Sequence, residues 1–227
     1  MVATATLLQE LTADPKAFLR HYDLSIAGGG QVATKGIHSG VATFDCAMMG
    51  GTVTGFTTRL AGLRGKTKER ERVRFTFVSL PALQNLGVDQ FDAWYIAMAQ
   101  QGAGTTTTHF TLPGNGGPNL MLTSQLTGCT FGIGSQTDQG SRLVSHVQPL
   151  NGNPDQPTRD GLRRVVSNGL TDGVAALYGR DSQPDDGYGD GFVRATIVAT
   201  RRGTNWTFWA QESRRDSGDI LRVRRLA

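Results

Sequence analysis

Cysteine is scarce in this sequence, which has Cys46 and Cys129 as its two cysteines among 227 residues. Two cysteines are too few for a disulfide-stapled scaffold, and neither stands in a Cys-x-x-Cys pair or in a Cys/His cluster. Disulfide-rich domains and zinc modules are therefore excluded, and no metal or cofactor is expected. One bridge between the two cysteines stays open, and it would abolish any thiol chemistry.

Long apolar runs are also lacking. No window approaches the ~18 apolar residues of a membrane-spanning helix. The N-terminus, MVATATLLQELTADPKAFLRHYDL, carries charges every few residues instead of the basic start and apolar run of a secretory signal. The sequence therefore predicts a chain made in the cytoplasm without such a signal and with no membrane partner. Export into a host cytosol by a machine that ignores N-terminal signals stays open.

The composition is that of a globular chain. Hydrophobic residues make up 38% and charged residues 19%, a balance unlike that of disordered proteins. The length lies within the range of one domain, and neither repeats nor a linker divide it. We therefore expect a single domain over 1–227, with residues 1–25 as a helical segment packed on it and with a monomer favoured.

Helices are predicted in three places. Leu7, Leu8 and Leu11 repeat at helical spacing, and Asp14-Pro15 is typical of an N-cap and first-turn proline. A second helix is predicted from Asp89 to about Gln100, and a third over about 159–178. The second would carry an inner aromatic face with these residues: Phe91, Trp94, Tyr95 and Met98.

Strands dominate the remainder. Val73, Phe75 and Phe77 alternate with polar residues, which indicates a strand with one buried face. Further strands are predicted near 31–37, 40–46, 52–60, 105–112, 119–126, 129–133, 141–148, 192–201, 204–211 and 219–225. The fold class predicted is α+β, with mixed β-sheets packed as a sandwich and flanked by a few helices.

The net charge of +4 is unevenly distributed. The segment Arg64–Arg74 holds six basic and two acidic residues, and a second basic set lies near the C-terminus: Arg214, Arg215, Arg222, Arg224 and Arg225. Such clusters bind acidic partners or protect strand edges from pairing. Since no nucleic-acid module accompanies them, nucleic acid is not an expected partner.

The chemistry-bearing residues are Cys129 and, seventeen positions later, His146. A thiol becomes a nucleophile when a base removes its proton or a local field lowers its pKa. The polar stretch 134–140 is long enough to reverse the chain, so the strands carrying the two residues can be neighbours. Spacing alone also fits a core cysteine and a hydrogen-bonded structural histidine.

Other candidates receive structural interpretations. Asp181–Gly191 is rich in acids and glycines but lacks the spacing and closing glutamate of an EF-hand, so it is expected to be a turn-rich loop. Cys46 stands in an apolar run and is expected in the core. His38 and His109 are expected to be structural, and His21 to end a helix, where a positive charge suits the dipole.

Leu126-Thr127-Gly128-Cys129 resembles the Leu-Ser-Gly-Cys motif of bacterial toxin deamidases, a superfamily including Burkholderia lethal factor and the cytotoxic necrotizing factors. The resemblance covers about 120–150, and loosely the hairpin at 190–213. It implies that Cys129 and His146 convert a protein glutamine to glutamate. Thr123 stands six residues before the cysteine, as a threonine does in lethal factor, which implies a catalytic role for it.

The same resemblance implies a protein substrate in a host cell, either the DEAD-box helicase of translation initiation or a small GTPase. The gap between Cys129 and His146 is closer to that of the chemotaxis receptor deamidases of the CheD type, although their later Gly-rich motifs are lacking. Three alternatives stay open: a chemoreceptor deamidase, another Cys-His enzyme such as a protease or transglutaminase, and a non-catalytic β-rich binding module using the basic 64–74 segment.

Overall fold

The computed structural model of this chain describes most of its sequence. The described residues are 4–27, 39–49, 71–77, 90–100, 109–149, 156–180, 187–188, 193–215 and 217–227. Some predictions fall outside them: the strands near 31–37 and 52–60, residues 105–108 of a third strand, His38, residues 64–70 of the basic segment, and all of the loop 181–191 except 187–188.

Eight of the described strands form the first sheet. They are β1 (Asp23–Ala27), β2 (Gly40–Met49), β3 (Arg72–Phe77), β4 (Gln90–Ile96), β7 (Leu120–Thr123), β12 (Val193–Arg202), β13 (Asn205–Arg214) and β14 (Ile220–Arg225). Their order is β1-β3-β2-β4-β7-β12-β13-β14. The pairs β1/β3 and β4/β7 are parallel and the others are antiparallel, so the sheet is mixed.

The second sheet carries six of the described strands. They are β5 (Met98–Gln100), β6 (Phe110–Leu112), β8 (Thr130–Gln136), β9 (Arg142–Gln148), β10 (Val174–Arg180) and β11 (Gly187–Tyr188). The order is β11-β10-β8-β9-β5, and β6 also pairs with β9. This sheet is mixed too, since β10/β11 and β5/β9 are parallel.

The helices cover the outer faces of the two sheets. α1 (Thr4–Ala13) and α2 (Pro15–His21) bury Leu11 and Leu19 against the first sheet, and α3 (Gln156–Gly169) packs on the second. The Asp14 side chain accepts a hydrogen bond from the Ala17 backbone at 3.0 Å, and Pro15 opens α2, so the predicted cap is confirmed.

The main core lies between the sheets, because strands of both expose apolar side chains on alternating faces. In β12, Ile197 and Ala199 point into the space between the sheets, whereas Val198 points toward α1 and α2. Phe131 and Val144 of the second sheet face the first. The layers thus run α1/α2, first sheet, second sheet, α3, which confirms the predicted α+β sandwich.

The helix predicted from Asp89 to Gln100 is wrong for the described part of that range, 90–100, which forms β4 and β5. Ala93 and Tyr95 face the helices, whereas Trp94 and Ile96 face the second sheet. A strand buried on both faces has a continuous apolar sequence, and over this length periodicity does not separate it from a helix.

The end of the helix predicted over 159–178 is also wrong. α3 ends at Gly169, and after a turn the chain enters β10 at Val174. Gly173 has a φ of 92°, a left-handed conformation that suits glycine at this turn. No helix among the described residues is both long and apolar enough to span a membrane.

Candidate functional site

The candidate site lies where the chain crosses twice between the sheets. β4 ends at Ile96 in the first sheet and β5 begins at Met98 in the second. β7, which pairs with β4, ends at Thr123, and the chain reaches the second sheet just after Cys129. The two crossings bring Thr123 to His146 and Met98 to Cys129, and no hydrogen bond joins Cys129 to His146.

Thr123 and His146 are in direct contact across the space between the sheets. The Thr123 hydroxyl lies 2.6 Å from Nδ1 of His146 and donates to the Ile96 carbonyl at 2.8 Å. A hydroxyl has one proton, so when it donates to the carbonyl, it can only accept from the ring. This assigns the proton of the neutral imidazole to Nδ1 and leaves Nε2 as an unprotonated base.

Nε2 of His146 is buried without a hydrogen-bond partner, and the residue has no exposed surface. Phe131 lies opposite on β8, and its ring packs edge-on against the imidazole at 6.2 Å between centroids. Burial lowers the pKa of His146 to about 3. The ring is therefore neutral at physiological pH.

Cys129 lies just before β8, in the apolar core cluster that also contains Phe131. It precedes Phe131 by two residues, which brings its side chain to the face that carries His146. Its Sγ lies 3.4 Å from Sδ of Met98, and the residue is 5% exposed. Burial raises the pKa of the thiol to about 12, with a smaller opposite effect from a hydrogen bond of the Thr127 backbone.

Burial therefore acts against the activation of Cys129 in this structure. Because burial raises the pKa of the Cys129 thiol and lowers that of His146, transfer of a proton from Sγ to the imidazole is strongly unfavourable here. In this closed arrangement the pair is neutral, and thiolate chemistry requires that the site open to water or substrate.

Tyr188 anchors the backbone of the motif. Its hydroxyl donates to the Cys129 carbonyl at 3.1 Å. Burial and the Cys129 side chain raise the pKa of Tyr188, while hydrogen bonds from the Gly128 and Cys129 backbones act the other way. Tyr188 thereby ties the end of the motif to β11 of the second sheet.

Sequence reasoning missed two residues of this site. Tyr188 stands in the turn-rich loop 181–191, where one aromatic side chain carries no signal of a contact to Cys129. Met98 is predicted on the inner face of a helix together with Trp94. A strand also places positions 94 and 98 on one face, so neither pattern shows the contact of Met98 with the thiol.

The other cysteine and histidines lie apart from the junction. Cys46 is fully buried beneath α1 and α2, as predicted, and no disulfide joins the two cysteines. His21 ends α2, and its Nε2 lies 3.2 Å from Glu71. His109 packs against the backbone of Gly169, where a Cβ would meet the ring at 1.7 Å.

No group of three or more His, Cys, Asp or Glu residues among those described could hold a metal ion. The described end of the basic segment is engaged internally, because Arg72 donates to the buried carboxylate of Asp23 at 2.8 Å. Arg194 reaches the same carboxylate at 2.7 Å. Arg72 is thus a structural residue rather than a free contact for an acidic partner.

No protein-family model matches the chain, and no curated protein matches it. Among solved structures, the chain is similar to the C-terminal domain of CNFy from Yersinia pseudotuberculosis, with a TM-score of 0.34 and 7% identity. The likeness covers 60% of this chain and 61% of that domain, so the chain spans about three fifths of its length. At this TM-score the likeness supports no inference about activity. The resemblance drawn from Leu126–Cys129 stays a prediction.

Proposed function

We propose that this protein is a cysteine-dependent glutamine deamidase that acts on another protein. The observation that carries the proposal is the arrangement of the His146 ring. Thr123 holds Nδ1, and Nε2 lies buried without a hydrogen-bond partner. An unpaired buried nitrogen costs free energy. Cys129 lies in the core cluster of Phe131, whose ring packs on His146, and attack by its thiol would give that nitrogen a use.

The proposed reaction begins with attack of the Cys129 sulfur on the carbonyl carbon of a glutamine side chain. Nε2 of His146 takes the thiol proton and returns it to the leaving nitrogen, so ammonia departs and a thioester remains. Water then adds to the thioester while Nε2 accepts its proton. Collapse of that intermediate returns the proton to sulfur and releases glutamate.

Two structural elements support the roles of the surrounding groups. Thr123 fixes the ring orientation through Nδ1, which keeps Nε2 free for proton transfer. The motif also carries backbone N–H groups at Gly128 and Cys129, which are the proposed donors to the oxyanion.

The substrate class follows from the motif resemblance rather than from the geometry. We propose a bacterial toxin or effector that reaches a host cytosol and acts as a monomer. The host DEAD-box helicase of translation initiation is the first candidate target and a small GTPase is the second. Blocking translation would be the consequence of modifying the helicase.

The test incubates the full chain with each purified candidate and measures released ammonia together with the one-dalton mass gain of an amide-to-acid conversion. Cys129→Ser and His146→Gln are expected to abolish both signals, and Thr123→Val to reduce them. The matched control is Cys46→Ser, which alters the other buried thiol and is expected to leave turnover unchanged. Turnover that survives in Cys129→Ser would eliminate the mechanism.

A second candidate function is favoured by the burial of the pair. If Cys129 and His146 never open, the chain is a non-catalytic β-rich binding module. A cleft of about 450 Å³ between β10 and β14 is lined by Arg224 and Arg225, which suits an acidic partner. Under this alternative, iodoacetamide would label Cys129 only when the protein unfolds, and added salt would weaken partner binding.

A further inference from the structure

Met98 lies between the candidate nucleophile and the edge of the second sheet. It begins β5, a three-residue strand at the end of the described strand order β11-β10-β8-β9-β5. In the register with β9 it stands directly opposite His146. Met98 is partly exposed, whereas Cys129 and His146 are buried.

The thioether of Met98 also has a chemically informative position. A methionine side chain carries sulfur at the δ position of an unbranched chain, and glutamine carries its amide carbon at the same δ position. Sδ of Met98 lies 3.4 Å from Sγ of Cys129. Reacting atoms in a near-attack arrangement are separated by ~3–3.5 Å. Sδ therefore occupies a point from which a glutamine amide carbon would be open to attack.

We propose that the Met98 side chain is a resident stand-in for the substrate glutamine, which covers Cys129 in the closed state and is displaced when a substrate side chain enters. This rests on the proposed deamidase function and adds to it the residue that controls access and selects side-chain length. Methionine is unbranched and has three rotatable bonds, so it can leave by side-chain rotation. Its strand at the sheet edge requires no rearrangement of the central strands.

Displacement of Met98 by a substrate side chain would both open a path to Cys129 and change the surroundings of its thiol. Sγ and Nε2 are held neutral by burial, and a polar amide entering beside them would partly replace the water they lack. The vacated space has the shape of a linear side chain. Asparagine, one methylene shorter, would leave its carbonyl carbon short of Sγ, so the site would prefer glutamine.

The first experiment measures access alone. The full chain and its Met98→Ala and Met98→Leu variants are treated with iodoacetamide under native conditions, and the labelling of each cysteine is followed by peptide mass spectrometry. Cys46 serves as an internal control, because it is fully buried in a different cluster and reports global opening. The rate ratio of Cys129 to Cys46 is expected to rise several-fold in Met98→Ala and to change little in Met98→Leu.

The second experiment uses Met98→Gln, which would present an amide carbon to Cys129 within the same molecule. The expected product is a glutamate at position 98, formed with loss of ammonia and uptake of water, and detected as a one-dalton gain in the peptide containing that position. The preceding thioester to Cys129 would appear as a loss of ammonia alone. Both signals are expected to vanish when Cys129→Ser is added.

The two experiments separate this inference from the function on which it rests. An unchanged labelling ratio in Met98→Ala would overturn Met98 as a cover, whatever the enzyme does. A raised ratio with no deamidation at position 98, although external glutamine is converted, would overturn the stand-in position and keep the deamidase. A raised ratio with conversion at position 98 supports both.

Discussion

Thr123 accepts a hydrogen bond from Nδ1 of His146 at 2.6 Å, across the boundary between the two sheets. The same hydroxyl donates to the Ile96 carbonyl, so both of its interactions are satisfied only with one tautomer of the ring. The contact therefore has a structural role and a chemical one. It joins β7 of the first sheet to β9 of the second, and it determines which imidazole nitrogen remains basic.

Removing the Thr123 hydroxyl tests both roles. Thr123→Val keeps the shape but leaves the Nδ1–H of a fully buried ring unpaired, which is expected to cost about 1–3 kcal/mol of unfolding free energy. Urea unfolding measures the loss, and ¹⁵N NMR of the imidazole reports a shift away from the Nδ1–H tautomer. Thr123→Ser is the matched control, since it restores the hydroxyl. Equal losses in the two variants would contradict the assigned hydrogen bond.

The stability of the protein is expected to fall on the acid side because of His146. Burial lowers its pKa from 6.5 to about 3, so between these values the unfolded chain binds a proton that the folded chain refuses. The free energy of unfolding therefore rises with pH through this window and falls as acid is added. At pH 5 the residue alone is expected to cost about 2 kcal/mol relative to pH 7.

Cys129 acts in the opposite direction at alkaline pH. Its pKa is raised from 9.0 to about 12, so above pH 9 the unfolded chain loses the thiol proton first and the free energy of unfolding falls. Urea unfolding across pH for the full chain, His146→Gln and Cys129→Ala isolates each contribution by difference. Parallel curves for all three would show that these groups are not buried in neutral form.

The candidate residues could be selected from the sequence because the motif that carries the resemblance is local, and their catalytic roles stay predictions. Thr123, Cys129 and His146 stand within one short stretch, and alternation of apolar residues correctly predicted the strand that carries His146. What the sequence does not contain is the environment of the sulfur. Burial of Cys129 depends on Met98 and Tyr188, which reach it from other parts of the chain.

The incorrect prediction of a helix at 90–100 also arises because the sequence does not contain the tertiary environment. Phe91 and Tyr95 are four residues apart, which matches a helical stripe, yet both face the first sheet's helical layer from a strand. The other face of β4 is covered by the second sheet, and only the tertiary structure determines that. Local pattern therefore predicted burial correctly at these positions and secondary structure incorrectly.

Close packing of α3 on the second sheet depends on Gly132. A Cβ at this position would lie 2.2 Å from a methyl of Val166 and 3.1 Å from Leu170. Gly132→Ala is therefore expected to push α3 outward and to destabilise the fold by about 1–3 kcal/mol. Thermal or urea unfolding measures the loss.

Gly161 provides the matched control within α3. A Cβ there would meet nothing within 4 Å. Gly161→Ala is expected to be neutral or to stabilise by about 0.5–1 kcal/mol, since alanine is the better helix former. If Gly132→Ala were equally harmless, α3 would not rest on β8 at this distance.

Arg201 holds the loop that follows β6. Its guanidinium is buried and donates to three backbone carbonyls and one side-chain amide: those of Pro113, Gly116, Gly117 and Asn119. The ring of Trp206 lies 5.3 Å from the guanidinium carbon, and its Nε1 donates to the same Pro113 carbonyl at 2.8 Å. The Arg201 guanidinium thus supplies the donors that a neighbouring strand would otherwise give to the backbone carbonyls of this loop.

Arg201→Lys keeps the charge but loses the planar fork that reaches several oxygens together. Because the carbonyls of Gly116 and Gly117 would then lose their donor, we expect a loss of at least about 2 kcal/mol of unfolding free energy. Hydrogen exchange in residues 113–119 should also become faster than in the flanking strands. The matched control is Arg202→Lys at the neighbouring exposed position, whose side chain contacts backbone carbonyls of α1. A loss as small as that of the control, with unchanged exchange in the loop, would show that the loop holds its conformation without the fork.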